Sequence, residues 1–184
     1  LNLMRFFKFI IVLFISALIT NCSSSDSEES TIILSNTNIA GSYSITRLNT
    51  EMKVTSVTQV GGVSVPLDVA TASNNGDTFQ IDFQLEENGS FKAIGQFRMI
   101  SKVTPAIGNP ETETVILDID TSGTFDLDTT NNTIQFNVSF GDFLSGTFNI
   151  TTFNETVLIL YQETEETEDS ITTEMETTIS FVRN

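Results

Sequence analysis

The chemistry open to this chain is limited by the reactive side chains it contains. Its 184 residues include no histidine and a single cysteine, Cys22, whereas 24 residues are acidic. Histidine is the commonest general base in catalysis and the commonest transition-metal ligand. No nucleophile motif takes its place. We therefore expect a protein that is not an enzyme, with no catalytic residue and no cofactor.

One acidic stretch has part of the ligand spacing of a calcium-binding loop. Asp118 and Asp120 occupy positions 1 and 3 of such a loop, Gly123 position 6 and Asp126 position 9. Position 12 is a threonine, whereas calcium-binding loops carry a bidentate glutamate there. The residues on both sides of the stretch alternate between apolar and polar, which is typical of strands and not of the helices that flank such loops. We expect a β-hairpin with a tight turn at 121–123 and no metal site. Asp118, Asp120 and Asp126 are the metal candidates to check.

The cysteine follows a segment with the features of an export signal. A short basic start precedes an apolar run, residues 9–19, that is too short to span a bilayer comfortably as a helix. Residues 19–22 (Ile-Thr-Asn-Cys) resemble the bacterial lipobox, although asparagine replaces the usual small residue before the cysteine. That asparagine, and the acidic serine-rich residues 23–29, resemble the surface-exported lipoproteins of Bacteroidetes-type bacteria.

The resemblance implies a lipid anchor on Cys22, with palmitate among its acyl chains. Several acyl chains hold a protein on a membrane in effect permanently. We therefore expect a lipoprotein signal peptide over residues 1–21, a Ser-rich acidic tether over 22–38 and one domain over 39–184. The expected location is the outer membrane, facing the cell exterior, with the periplasmic face as the alternative.

The net charge excludes one class of partner. After residue 21 the chain keeps six basic residues against 24 acidic ones, a net charge of −18. A surface of this sign repels the phosphate backbone. We expect no nucleic-acid partner. The net charge does not identify a protein partner.

Alternating apolar and polar residues predict an all-β domain. Phe79, Ile81, Phe83 and Leu85 alternate with polar residues, and an Asn-Gly turn signal follows at 88–89. Residues 39–184 are predicted to form an antiparallel up-and-down meander of eight to ten strands. A barrel is favoured because it leaves no exposed edge, and a β-sandwich is the alternative. Two long connections, 61–76 and 102–113, fall at one end of the meander and predict a cup with an open mouth.

Both ends of the predicted domain carry marks that resemble lipocalins. Lipocalins typically have Gly-x-Trp on the first strand and an arginine near the end of the last strand, stacked on that Trp. Here residues 41–43 (Gly-Ser-Tyr) and 181–183 (Phe-Val-Arg) take those places. The domain is thus similar to the lipocalin-like lipoproteins of Bacteroidetes. The resemblance implies that Arg183 lies over the Tyr43 ring at the closed end of a barrel, and that the barrel binds or carries a small apolar molecule.

Five phenylalanines are the candidate ligand-lining residues. On the alternation they face the barrel interior, and the set is Phe79, Phe83, Phe97, Phe136 and Phe148. The alternative is that they fill a solid core, which would favour a structural or interaction module of a cell-surface complex. An eight-stranded barrel allows either arrangement. An apolar cavity of roughly 300 Å³ or more would favour the carrier.

Overall fold

The computed structural model of the protein describes residues 32–141 and 143–184, so the predicted signal peptide and Cys22 lie outside the described residues. One short helix, α1, precedes eight strands. Their bounds are α1 (Asn36–Ile39), β1 (Gly41–Val60), β2 (Val63–Leu85), β3 (Ser90–Pro105), β4 (Glu111–Asp128), β5 (Thr133–Phe140), β6 (Gly146–Phe153), β7 (Val157–Glu168) and β8 (Ile171–Arg183). In the part of the chain that is described, no helix has the length and apolar character needed to cross a membrane.

Each strand pairs antiparallel with the next, and β8 pairs with β1 to close a barrel. The prediction of an all-β up-and-down meander is confirmed. The described residues form eight strands, at the lower limit of the predicted range, and the barrel is found rather than the sandwich.

The barrel core lies at one end of the strands. We call this the closed end, where β1 begins and β8 finishes, and the opposite end the open end. Alternation along each strand directs apolar side chains inward, as a strand with one buried face requires. The most deeply buried large side chains are Tyr43, Phe83, Phe97, Phe125, Phe136, Phe181, Ile39, Leu85, Ile134, Leu158 and Leu160. With Phe91 and Phe148, rings from seven different strands therefore meet in one apolar cluster.

A bulge on β5 directs one phenylalanine to the outer face of the barrel. On β5, Ile134 and Phe136 are buried, but Phe140 is 61% exposed. The pairing with β4 shifts between Ser122, opposite Phe140, and Gly123, opposite Val138. The extra residue turns Phe140 to the outer face, because a one-residue shift reverses the direction of every following side chain.

The tight turn predicted at 121–123 is wrong. These residues lie within β4, which runs without interruption from Glu111 to Asp128. Gly123 serves close packing instead, since a Cβ there would lie against the carbonyl oxygen of Asn137 and 3.0 Å from the Phe91 ring. Glycine allows such close backbone approach in a strand as readily as it allows a turn.

The two predicted long connections are also wrong, since most of their residues belong to strands. Residues 63–76 pair with β1, and only Gly61 and Gly62 form the turn. Both glycines have positive φ, 61° and 83°, as a two-residue hairpin turn requires. The β3–β4 connection likewise shortens to 106–110. The open end therefore carries long hairpins in place of loops.

The described domain begins before the predicted boundary at residue 39. Residues 32–184 form one compact unit. Ser35 caps α1 by accepting a hydrogen bond from the backbone N–H of Asn38, and Leu34 packs against the core. Ile39 is fully buried. The last part of the predicted tether, residues 32–38, thus lies on the barrel.

Candidate functional site

The closed end is held by a network between the two termini of the barrel. The Tyr43 hydroxyl donates to the carbonyl of Ile39 at 2.6 Å. The Arg183 guanidinium donates to the Tyr43 hydroxyl at 2.7 Å and to the carbonyl of Asn38. Its Cζ atom lies 5.3 Å from the centre of the Tyr43 ring, which is cation–π distance. Arg183 thus lies over Tyr43, where the lipocalin resemblance implied, and it also connects α1 to β8.

Burial sets the ionisation of Tyr43. Loss of hydration raises its pKa above the ordinary value of 10.0, while the hydrogen bond and the charge of Arg183 act in the opposite direction. The folded pKa therefore lies above that of the unfolded chain. Tyr43 contributes stability that is complete below the unfolded pKa and is lost as the pH rises through the folded pKa.

An alkaline titration checks this direction. The chain has two tyrosines, so Tyr161→Phe leaves Tyr43 as the only group that forms tyrosinate. We expect its ultraviolet titration midpoint above 10.0, the ordinary value, and a falling free energy of unfolding over the same rise in pH. A midpoint at or below the ordinary value would contradict the burial of the hydroxyl.

Above the aromatic cluster the barrel forms a cavity of about 340 Å³ that is open to solvent on one side. Its apolar lining residues are Leu48, Phe97, Met99, Leu117, Ile119, Phe143, Leu144, Phe148 and Ile179, and its polar ones are Ser145, Gln162 and Thr177. None of these described lining residues is charged. The volume reaches the lower range of small-molecule sites, which are mostly apolar with a few polar groups.

The β5–β6 connection forms one wall of the cavity because it folds inward. The backbone N–H of Phe143 donates to the hydroxyl of buried Thr121 at 3.3 Å. Leu144 is 5% exposed and adopts a positive φ of 63°, an uncommon conformation for this residue type. The strain is offset by burial of the leucine side chain. The connection therefore covers part of the barrel lumen.

Two polar groups face the cavity with partial hydrogen bonding. The amide nitrogen of Gln162 donates to the carbonyls of Ser145 and Thr147, at 3.4 and 3.2 Å. The hydroxyl of Thr177 pairs with that of Thr50 at 3.1 Å. The Gln162 carbonyl oxygen and the Thr177 hydroxyl can thus offer a neutral hydrogen-bonding group to a ligand.

The five predicted phenylalanines divide between the cavity and the core. Phe97 and Phe148 line the cavity. Phe79 stacks on Phe97 with ring centres 5.6 Å apart. Phe83 and Phe136 are buried in the aromatic cluster below the cavity and do not line it. Alternation identified residues that face inward, but it carries no information on their position along the barrel axis.

The three candidate metal ligands do not converge. Asp118, Asp120 and Asp126 lie on the extended backbone of β4 and are exposed. At about 3.3 Å per residue, the first and the last are roughly 26 Å apart. Asp126 accepts a hydrogen bond from the side chain of Asn137 at 2.9 Å. Within 32–141 and 143–184, no group of three metal-ligating side chains is found.

The sequence reasoning missed most of the cavity wall. Met99 and Leu117 alternate correctly on their strands, but neither was singled out from the other inward positions. Phe143 and Leu144 lie in a connection, where periodicity gives no signal. An apolar pair within a short strand connection is the one sequence feature that could have identified this wall, because connections normally face water.

No protein-family model matches the chain, and no curated protein matches it. Among solved structures, the chain is similar to Ail, the attachment invasion locus protein of Yersinia pestis. The two are 10% identical, and the match covers 79% of this chain and 100% of Ail with a TM-score of 0.23. An overlap of this size supports no inference about function. The described chain is an eight-stranded antiparallel β-barrel with an apolar cavity.

Proposed function

We propose that this protein is a lipid-anchored, lipocalin-like barrel that binds a small apolar molecule in its cavity. The observation that carries the proposal is the apolar cavity of about 340 Å³ above the aromatic cluster. It exceeds the roughly 300 Å³ at which a barrel interior becomes a usable small-molecule site. A completely filled lumen would have offered no such space.

The closed end supports the lipocalin resemblance. The arginine near the end of the last strand lies over the aromatic ring of the first strand, and both bond to carbonyl groups of α1. The buried core cluster fills this end of the barrel. A ligand would therefore enter from the open end.

The outer surface of the barrel supports an anchor in place of a membrane-spanning role. Around the core, the outer face carries polar and charged side chains that are exposed, among them Ser42, Asp82, Gln84, Lys92 and Asp126. Membrane-spanning barrels show the reverse order, with an apolar band outside and polar groups inside. Attachment to the outer membrane is thus assigned to acyl chains on Cys22.

The lining defines the class of ligand. Nine apolar residues and three neutral polar ones surround the cavity. A charged group placed there would lose hydration without gaining a counter-charge, which costs several kcal/mol. The ligand we propose is therefore neutral and apolar, with at most one hydrogen-bonding group directed at Gln162 or Thr177.

Native mass spectrometry of the protein purified from its source membrane, with the lipid anchor intact, is the direct test. We expect one neutral apolar molecule bound to each barrel in addition to the anchor. Nile red, a neutral apolar dye, provides a second measurement with purified protein. Its fluorescence should rise on binding and saturate at one dye per barrel.

Two neighbouring residues of β4 allow a matched control. Leu117 lines the cavity, whereas Ile116 is 69% exposed on the outer face. Leu117→Trp should weaken Nile red binding at least about tenfold, since the larger ring fills the site, and a tenfold loss corresponds to about 1.4 kcal/mol. Ile116→Trp should leave the affinity unchanged. Equal affinities for both variants and the parent chain would contradict binding in the cavity.

The alternative function is an interaction module of a cell-surface complex. The specific observation in its favour is that the lower barrel is solid, with interlocked rings, while long hairpins extend beyond the core at the open end. Such hairpins offer an extended surface for contact with another protein, and not a pocket for a small molecule. A co-purifying protein, with no small molecule in the mass spectrum, would support this function.

A further inference from the structure

The open end of the barrel leaves one side of β4 without a partner strand. The neighbouring strand β5 pairs only with residues 122–128 of β4. Above that point, residues 111–121 pair with β3 on one side, and the described hydrogen bonds include no strand partner on the other. Every second residue of this segment, about five in all, thus directs unpaired backbone N–H and C=O groups to the free side. The barrel is closed at its base and notched above β5 and β6.

The opposite side of this notch is formed by β7. Strand β6 pairs with β7 only up to Tyr161, so residues 162–168 are paired with β8 alone. The cavity lies at the base of the notch, because Leu117 of β4 and Gln162 of β7 both line it. The inward-folded β5–β6 connection forms the floor between them. The notch is therefore a structural feature with two free strand edges.

The free edge of β4 is protected against strand addition by charge alone. Natural edges are blocked by charged side chains, prolines, bulges or covering loops. The β3–β4 register runs without a shift from Ser90–Thr124 to Val103–Glu111, and β4 contains no proline or lysine. Ile116, in the middle of the free edge, is 69% exposed. A regular edge of this length is a template for an added strand.

Charge selects the kind of segment that fits. The free part of β4 carries Glu111, Glu113, Asp118 and Asp120, and β7 across the notch carries Glu163, Glu165, Glu166 and Glu168. A second copy of the chain, added edge to edge, would place carboxylates opposite carboxylates, which is destabilising. On β3, Arg98 is already bonded to Asp77 at 2.6 Å, which leaves Lys102, opposite Thr112, against these eight carboxylates. A basic segment therefore complements this surface.

We propose that the free edge of β4, residues 111–120, binds an extended lysine- or arginine-containing segment of another protein as an added antiparallel or parallel strand. Backbone hydrogen bonds to β4 supply the geometry, and the carboxylates on both sides of the notch select basic side chains. The added strand would cover Ile116 and span about 33 Å, the length of ten extended residues.

Hydrogen–deuterium exchange of the full chain, measured by mass spectrometry, tests this site with synthetic peptides. The probe alternates lysine and valine over about ten residues, to match the free edge. A control peptide alternates lysine and proline, which keeps the charge, removes the backbone donor at every second residue and disfavours an added strand. We expect exchange of residues 111–120 to slow at least about tenfold with the first peptide and to remain unchanged with the second.

Two pairs of substitutions separate edge pairing from general attraction. Glu111→Gln with Glu113→Gln removes two charges from the free edge, and we expect it to weaken the protection by the lysine–valine peptide. Glu174→Gln with Glu176→Gln removes two charges from β8, whose sides are both paired with strands. This second pair should have little effect. Equal protection by both peptides, or protection centred on residues 162–168, would overturn the proposal.

Discussion

Replacing Phe136 by alanine should cost about 3–5 kcal/mol of the free energy of unfolding. Phe136 is 2% exposed. The centre of its ring lies 5.0–6.4 Å from the ring centres of four neighbours, Phe83, Phe91, Phe125 and Phe148. The alanine variant would lose the buried area of one ring and leave a hole among four others. Edge-to-face contacts such as that with Phe91 add about 0.5–1.5 kcal/mol each.

Phe140→Ala is the matched control, because it makes the same chemical change on the same strand. Phe140 is 61% exposed on the outer face, and surface substitutions usually change stability by less than about 0.5 kcal/mol. Urea unfolding followed by far-ultraviolet circular dichroism measures the free energy of unfolding of both variants. Where Phe136→Ala does not fold, Phe136→Leu retains most of the volume and should show a smaller loss. Similar losses for the alanine variants at 136 and 140 would contradict the packing described here.

Removing the guanidinium in Arg183→Ala should destabilise the closed end by about 3 kcal/mol. The side chain bonds to the Asn38 carbonyl and the Tyr43 hydroxyl and lies over the Tyr43 ring. Hydrogen bonds to charged groups contribute about 1.5–3 kcal/mol each and a cation–π contact about 0.5–2 kcal/mol, and solvent access at this part-buried site reduces the total. Loss of these bonds also frees α1 from the barrel.

Arg98→Ala removes the other well-bonded arginine and is the control. Its ion pair with Asp77 is on the exposed outer face, where such pairs contribute at most about 1 kcal/mol. Arg183→Ala should additionally speed hydrogen exchange in residues 36–40, whereas Arg98→Ala should not. A stability loss for Arg183→Ala no larger than that for Arg98→Ala would show that the closed end does not depend on the guanidinium.

The alternation of β2 shows what local sequence can predict. Ile81, Phe83 and Leu85 are buried, as the alternation predicts, because a strand in a closed barrel has one face inside wherever it is paired. Phe140 on β5 departs from the alternation of Ile134 and Phe136. A bulge on β5 moves that residue to the other face, and bulges arise from the fit between two strands, which one strand does not encode.

Polar composition was misleading at the open end. Residues 61–76 and 102–113 contain Gly, Pro, Asn and Ser, which are typical of loops. Both nevertheless contribute mainly to hairpins, because each continues a ladder that begins in the core. Strands that extend beyond the core need no apolar face, so their sequences lack the signal by which buried strands are recognised.

The amino-acid sequence by itself determined that this is an all-β, acidic, antiparallel domain, because these properties follow from local period and from composition. The contact between the terminal arginine and the tyrosine of the first strand was implied only by the resemblance to lipocalins. Only the tertiary structure decided that the strands close at eight, that Phe83 and Phe136 fill the base while Phe97 and Phe148 line a cavity, and that the upper part of β4 is unpaired. Those features depend on strand lengths and register, which are set by contacts between residues far apart in the chain.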